Sequence, residues 1–439
     1  MRARALVTAG VTLATLGGSC VSLAALGGRA RTLVAIGLSL AALGGCKSVR
    51  TGALPELPTW YKRPSWALSV TDRRQLTVEN LAIGEDYERG RPELDIRHHR
   101  VFVGSSDRGL YALRAEDLST LWRFQTLGFV QCEPLYDPEE DTVYFGSNDG
   151  ALYKLRASDG EMIWRFSSNA EVARRPLLSN GVLYAVNAND TILAIDPTDG
   201  ALKWSQHRTP AYGMEIAGYA GASMSGGRVY TSFSDGRVFA FDGVTGKERW
   251  SADLAAEAES ISGDVPRYLD ADATPVPART EAGSVIFVAS YAGGVFSLDA
   301  ETGARVWVND RAKGVGDVHL YEEPPHPNAE GGPDLPGRRM LLASSGTTGL
   351  WALDPNDGHE LWRRSLPEGG VSAPVPVSGA LVISTTRYGL FLVSPIDGAV
   401  IDGIETGSGF SMTPAAFGRR VFAMTNHGAL LGIHIDGPH

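Results

Sequence analysis

Ala240–Trp250 reads AFDGVTGKERW, and close variants of it recur along the chain. LRASDGEMIW (Leu155–Trp164), AIDPTDGALKW (Ala194–Trp204), SLDAETGARVW (Ser297–Trp307) and ALDPNDGHELW (Ala352–Trp362) all keep a glycine four residues before a tryptophan. The five glycines are Gly160, Gly200, Gly246, Gly303 and Gly358. LRAEDLSTLW (Leu113–Trp122) lacks the glycine, and VSPIDGAVID (Val393–Asp402) carries Asp402 where tryptophan would stand. The six tryptophans, Trp122, Trp164, Trp204, Trp250, Trp307 and Trp362, lie 42, 40, 46, 57 and 55 residues apart. Self-similarity at such a period marks a repeat architecture. Each copy predicts a strand, an Asp/Thr-Gly tight turn and an outer strand ending in tryptophan. Glycine allows the positive φ of the turn, and the indole gives an apolar plate that can pack between neighbouring sheets.

Working outward, β-branched and aromatic residues alternate between turn signals. The inner turns fall at Arg108-Gly109, Asp149-Gly150, Asp190-Thr191, Asp235-Gly236, Gly293-Gly294, Thr348-Gly349, Tyr388-Gly389 and His427-Gly428. These eight units predict an all-β fold, an eight-bladed β-propeller of four-stranded blades spanning residues 71–439. The last unit runs out after GALLGIHI without an outer strand. RQLTVENLAI (Arg74–Ile83) is strand-like and unassigned, so it is expected to complete the last blade and close the ring. Two connections exceed the repeat, near 251–283 and 309–339, and both are expected to project from related faces. No convincing long helix stands out in the body.

The amino-terminal 45 residues hold four arginines and no acid, with two apolar runs. The second run, Thr32–Gly45, has signal-peptide rather than membrane-spanning length. It ends in Leu43-Gly44-Gly45-Cys46, which matches a bacterial lipobox with Cys46 as the lipid acceptor. Residues 1–45 thus read as a cleaved signal peptide and 46–70 as a lipidated tether. Loss of the leader moves the formal net charge from −10 to about −14, which disfavours nucleic acid as a partner.

Of three cysteines, only Cys132 lies in the body, so neither an internal disulfide nor a paired-cysteine metal site is available. Cys132 reads as a small buried hydrophobe in a strand. Histidines such as His98, His99, His207 and His359 show no metal-ligand spacing, and no serine sits in a nucleophile elbow. No catalytic, cofactor or metal residue is nominated.

The pattern Ala-x-Asp-x-x-Thr-Gly-x-x-x-Trp of Ala240–Trp250 resembles the tryptophan-docking repeat of quinoprotein dehydrogenases, which bind pyrroloquinoline quinone. It is similar as well to the repeat of BamB-like outer-membrane assembly lipoproteins. The resemblance spans Leu94–Ile435. The enzymes of the first group imply a vicinal cysteine pair and a calcium site, and this chain has no adjacent cysteines. The second group implies an eight-bladed, non-catalytic periplasmic scaffold without a cofactor. Such a scaffold is a monomer within a complex, bound to BamA and helping to insert β-barrel proteins. Lys47 follows Cys46, so the aspartate associated with inner-membrane retention is absent, which suits an outer-membrane lipoprotein facing the periplasm. The alternatives are a quinone- and calcium-dependent dehydrogenase and a glycan- or ligand-binding surface propeller.

Overall fold

The computed structural model describes residues 67–77, 88–210, 220–263, 271–325, 334, 336–366, 370–410 and 412–436. The stretch read as a signal peptide and that read as a tether up to residue 66, with Cys46, lie outside them. Thirty-two strands, β1–β32 in chain order, form eight antiparallel four-stranded sheets. Blade 1 comprises β2 (Glu93–Asp95), β3 (Arg100–Gly104), β4 (Gly109–Arg114) and β5 (Thr120–Gln125). Blades 2 to 7 repeat that order within 135–167, 177–207, 223–253, 276–309, 315–364 and 375–404. First strands of neighbouring blades approach one another, which places them around the axis and the fourth strands on the rim.

Burial follows position within the blade. The second strand β3 is buried throughout, whereas the rim strand β9 (Met162–Ser167) exposes all but Trp164 and half-buried Phe166. The core is therefore not one central mass. It is divided into eight apolar clusters, one for each seam between adjacent blades. This is the arrangement expected of a repeat unit that buries its apolar faces only against its neighbours.

The ring closes through blade 8, whose sheet order is β1, β32, β31, β30. Its rim strand β1 is Ala67–Gln75, which pairs antiparallel with β32 (Ala429–Asp436) from Ala67 opposite Asp436 to Gln75 opposite Ala429. A strand from the amino terminus does close the propeller. It is not Arg74–Ile83: only Arg74 and Gln75 belong to it, residues 78–83 lie outside the described residues, and its start falls inside the stretch read as tether. Pairing continues past β1 where Leu76 N donates to Gly428 O at 2.9 Å.

The two long connections leave from opposite ends of the blades. The first joins β17 (Glu248–Asp253), a rim strand, to β18 (Val276–Thr280), the first strand of the next blade. The second lies inside a hairpin, between β22 (Val315–Glu322) and β23 (Arg339–Ser345). In an antiparallel four-stranded blade these two kinds of connection sit at opposite strand ends, which overturns the expectation of related faces. The first connection also contains a nine-residue helix, α1 (Leu254–Ser262). Asp253 caps its amino end by accepting from Ala256 N, and Gly263 ends it in the left-handed region at φ 78°. Its alanines and glutamates are strong helix formers, which explains a helix in an otherwise all-β chain.

Candidate functional site

The repeat residues meet in pairs across the seams, each tryptophan against the glycine of the next blade. Trp122 lies on Gly160, Trp164 on Gly200, Trp204 on Gly246, Trp250 on Gly303, Trp307 on Gly358 and Trp362 on Gly398. A Cβ added at Gly303 would stand 2.5 Å from the Trp250 ring, and one at Gly200 would stand 2.9 Å from Trp164. The glycine is therefore fixed twice, by its positive φ (69° at Gly246) and by the ring above it. Each indole Nε1 donates to the carbonyl three residues before its glycine, at Ala157, Pro197, Gly243, Ala300, Pro355 and Pro395, over 2.9–3.1 Å. Beneath the indole lies a second-strand ring in five seams, as with Tyr230 and Trp250 at 6.0 Å. The turn that carries the glycine is held by its own side chains. In blade 4 Asp242 Oδ1 accepts from Thr245 N and Thr245 Oγ1 at 2.8 Å, and Arg249 donates to Oδ2 at 2.5 Å. Those bonds, the Arg249 one foremost, hold the Asp242 carboxyl below its ordinary range.

At the mouth around the first strands, charged groups of blades 1 to 3 pair with one another. Arg175 donates to Glu93 Oε1 at 2.6 Å and its Nε lies 3.2 Å from Glu133, which also faces Arg91 at 3.5 Å. Burial pushes the Glu93 carboxyl up, outweighing the pull of Arg175. Arg174 donates to Asp272 O at 3.3 Å, linking the entries of blades 3 and 5. Cys132 is buried as expected but lies in the connection before β6 (Leu135–Asp137), not in a strand. Its thiol faces the carbonyls of Glu133 and Arg174 at 3.1 Å, and burial pushes it up to about 12, which makes it unreactive.

Among the described residues, two clusters have the composition of a cation site. In the first, Asp95, His98 and Asp141, the cation is already supplied by Arg100, which bonds Asp95 at 2.7 Å and pairs with Asp141. In the second, Asp354, Asp357 and His359 belong to a repeat turn whose carboxylates accept backbone N–H groups. A calcium–quinone pair needs carboxylates free for the metal and cations free for the quinone acids. At the mouth Glu93 and Glu133 are already matched by Arg175 and Arg91, so these four side chains do not fit that pair.

A family model described as outer membrane protein assembly factor BamB matches residues 137–324 and 347–437, from blade 2 through blade 8. The chain belongs to the BamB family. The break in the match, residues 325–346, covers the long β22–β23 connection and the whole of β23. The BamB of Yersinia pestis is 26% identical over 268 residues, 59% of this chain and 61% of that protein, so the chain spans about three-fifths of this relative. A crystal structure of BamB from Moraxella catarrhalis has the same fold, with a TM-score of 0.64, 18% identity and coverage of 84% of this chain and all of that one. A quinohemoprotein alcohol dehydrogenase of Pseudomonas putida is 27% identical over 203 residues, 44% of this chain but only 24% of the enzyme. The sequence likeness to the Yersinia pestis BamB thus covers more of this chain, 59% against 44%, and far more of the relative, 61% against 24%, than that to the enzyme.

Proposed function

We propose that this protein is a non-catalytic scaffold of the bacterial envelope, tethered to the outer membrane by lipid on Cys46 and acting in the periplasm with the β-barrel assembly machinery. The observation that carries the reading is the BamB family match, which runs from blade 2 to the closing blade. The mutual pairing of Arg91, Glu93, Glu133 and Arg175 supports the non-catalytic part, because it occupies the charges that a mouth-bound cofactor would use. Affinity isolation of the full-length lipoprotein from its own envelope in mild detergent tests it. Near-stoichiometric recovery of a BamA-type barrel component is the expected result. Its absence beside a different stable partner overturns the assembly role, and calcium-dependent quinone uptake overturns the non-catalytic part. Cys46→Ala should release the protein from the membrane fraction; continued retention removes the lipid anchor from the reading.

A further inference from the structure

Two adjacent seams differ at one set of positions on the third and fourth strands. In blade 2, Tyr153 faces Arg165 across the sheet. The Tyr153 hydroxyl donates to Asp149 Oδ2 at 2.6 Å and accepts from Arg165 Nε at 3.1 Å. Its ring meets Phe124 of blade 1 edge-on at 5.6 Å. Blade 1 has the same trio in Asp107, Tyr111 and Arg123. The equivalent positions of blade 3 are Asn189, Leu193 and Ser205, with Leu193 opposite Ser205. Phe166 of blade 2 stands where Phe124 stands one seam earlier.

A phenol and a guanidinium are thus exchanged for an isobutyl and a hydroxymethyl group, and a pocket of about 270 Å³ opens there. That is below the about 300–1,000 Å³ typical of clefts for whole ligands, so it suits a single ring better than a cofactor. Phe166 and Leu193 make its apolar side, and Asn169, Asn189, Ser205 and His207 its polar side. The side chains of Asn169, Asn189 and Ser205 hydrogen-bond to nothing among the described residues. His207 Nδ1 lies 3.0 Å from Asn189 O, a carbonyl that can only accept. Nδ1 also lies 3.0 Å from Thr191 Oγ1, whose own proton goes to Asn189 O at 3.0 Å, so the neutral tautomer that fits both neighbours donates from Nδ1 and leaves Nε2 as an acceptor suited to a phenolic O–H.

We infer that this pocket takes the side chain of a tyrosine from a partner polypeptide, in the place that Tyr153 fills in the preceding seam. The ring packs on Phe166 and Leu193, and the hydroxyl meets the amide and imidazole groups of the rim. Leu202, 48% exposed at the rim, gives the bearing chain an apolar shoulder while its backbone stays outside. The choice of a polypeptide as bearer rests on the scaffold reading above.

The test is ligand-observed NMR on the folded propeller with blocked Ala-Tyr-Ala, Ala-Phe-Ala and Ala-Ala-Ala peptides and with p-cresol. The tyrosine peptide should take up saturation most strongly, the alanine peptide should take up none, and the His207 imidazole signal should move on titration. Leu193→Tyr with Ser205→Arg, which copies the blade 2 arrangement, should weaken binding about tenfold or more. Equal uptake by the alanine peptide, an unmoved His207 signal, or undiminished binding in the refilled variant each overturns the site. The His207 signal decides the matter in the parent protein should that variant not fold. Binding of p-cresol as tight as that of the peptide overturns the polypeptide as bearer. Co-isolation from the envelope uses none of these probes, so either result can fail while the other stands.

Discussion

Six seams of this ring are joined by an indole on a glycine, and the two that flank blade 8 are joined differently. Between blades 7 and 8 the tryptophan position is Asp402, whose Oδ2 accepts the Leu68 N–H of the closing strand at 2.7 Å. Between blades 8 and 1 the register places Asp72 where tryptophan would be, one bulge after Val70. Asp72 holds Arg420 at 3.2 Å, and Arg420 in turn donates to Glu116 O of blade 1 at 3.3 Å, a carbonyl one residue beyond the position that an indole Nε1 takes elsewhere. The glycine position of blade 1 is Leu118, at φ 56°, whose buried side chain enters the cluster with Phe422 and Leu430. At the seam between blades 7 and 8 the contrast has a topological cause. Blade 8 takes its rim strand from the far end of the chain, so it has no third-to-fourth hairpin and no glycine on which an indole could rest. The closing seams rely instead on charged hydrogen bonds and one strained leucine.

The comparison breaks most visibly if the closing strand is removed. Deletion of 67–77 should abolish cooperative unfolding as followed by tryptophan fluorescence. An unchanged thermal midpoint would mean that the ring does not depend on its closing seams. Next in size, Trp250→Ala should cost about 3–5 kcal/mol in urea unfolding, as expected for emptying a buried indole site. Gly303→Val should match it, because its Cβ meets the same ring. A loss below about 1 kcal/mol for either would show that docking does not carry the ordinary seams. Asp402→Ala should cost about 1–3 kcal/mol, the range for a charged hydrogen bond to a buried N–H. Asp402→Trp should be no better, since blade 8 offers no glycine; rescue by tryptophan would erase the distinction between seams.

The smallest effect concerns Glu88, which binds both sides of the closing seam. Its N–H donates to Asn426 O of blade 8 at 3.1 Å, and its buried carboxylate accepts from Ser106 Oγ of blade 1 at 2.8 Å. Burial raises this carboxyl above its ordinary 4.5. Its contribution to stability is therefore fully present below about 4.5 and lost as pH rises through the folded value. Glu88→Gln should flatten that limb of the midpoint-against-pH curve. A parent-to-variant difference that is the same at pH 4 and pH 7 would remove Glu88 from the account.

How legible each part was follows from what a seam demands of its residues. A blade between two indole sites gives a glycine to one and a tryptophan, four residues later, to the next, so five strings announce themselves, and the fold with them. Gly398 was visible only as part of a copy without its own tryptophan; its partner, Trp362, belongs to the blade before. The closing strand was misplaced because ALSVTDRRQ is a rim strand with a bulge at Thr71, which interrupts the two-residue period. RQLTVENLAI carries more apolar residues and drew the assignment. The ion pairs of Arg91, Glu93, Glu133 and Arg175 and the pocket beside Leu193 could not be read from the chain. The ion pairs join residues 42 to 82 positions apart, and the pocket lies between neighbouring blades, a proximity that exists only once the blades stand side by side.

Docking in this ring has a direction, each of blades 2 to 6 giving its tryptophan forward and receiving one from behind. A blade-length segment copied in tandem would arrive with both a plug and a socket, and would extend the series without any new interface having to be invented. Nothing in the pairwise chemistry counts to eight. Where the series stops is set by curvature, by how many twisted sheets fit around one axis before the first and last can touch. The odd residues at Asp72, Leu118 and Asp402 therefore mark the splice where a linear inheritance of copies was bent into a circle.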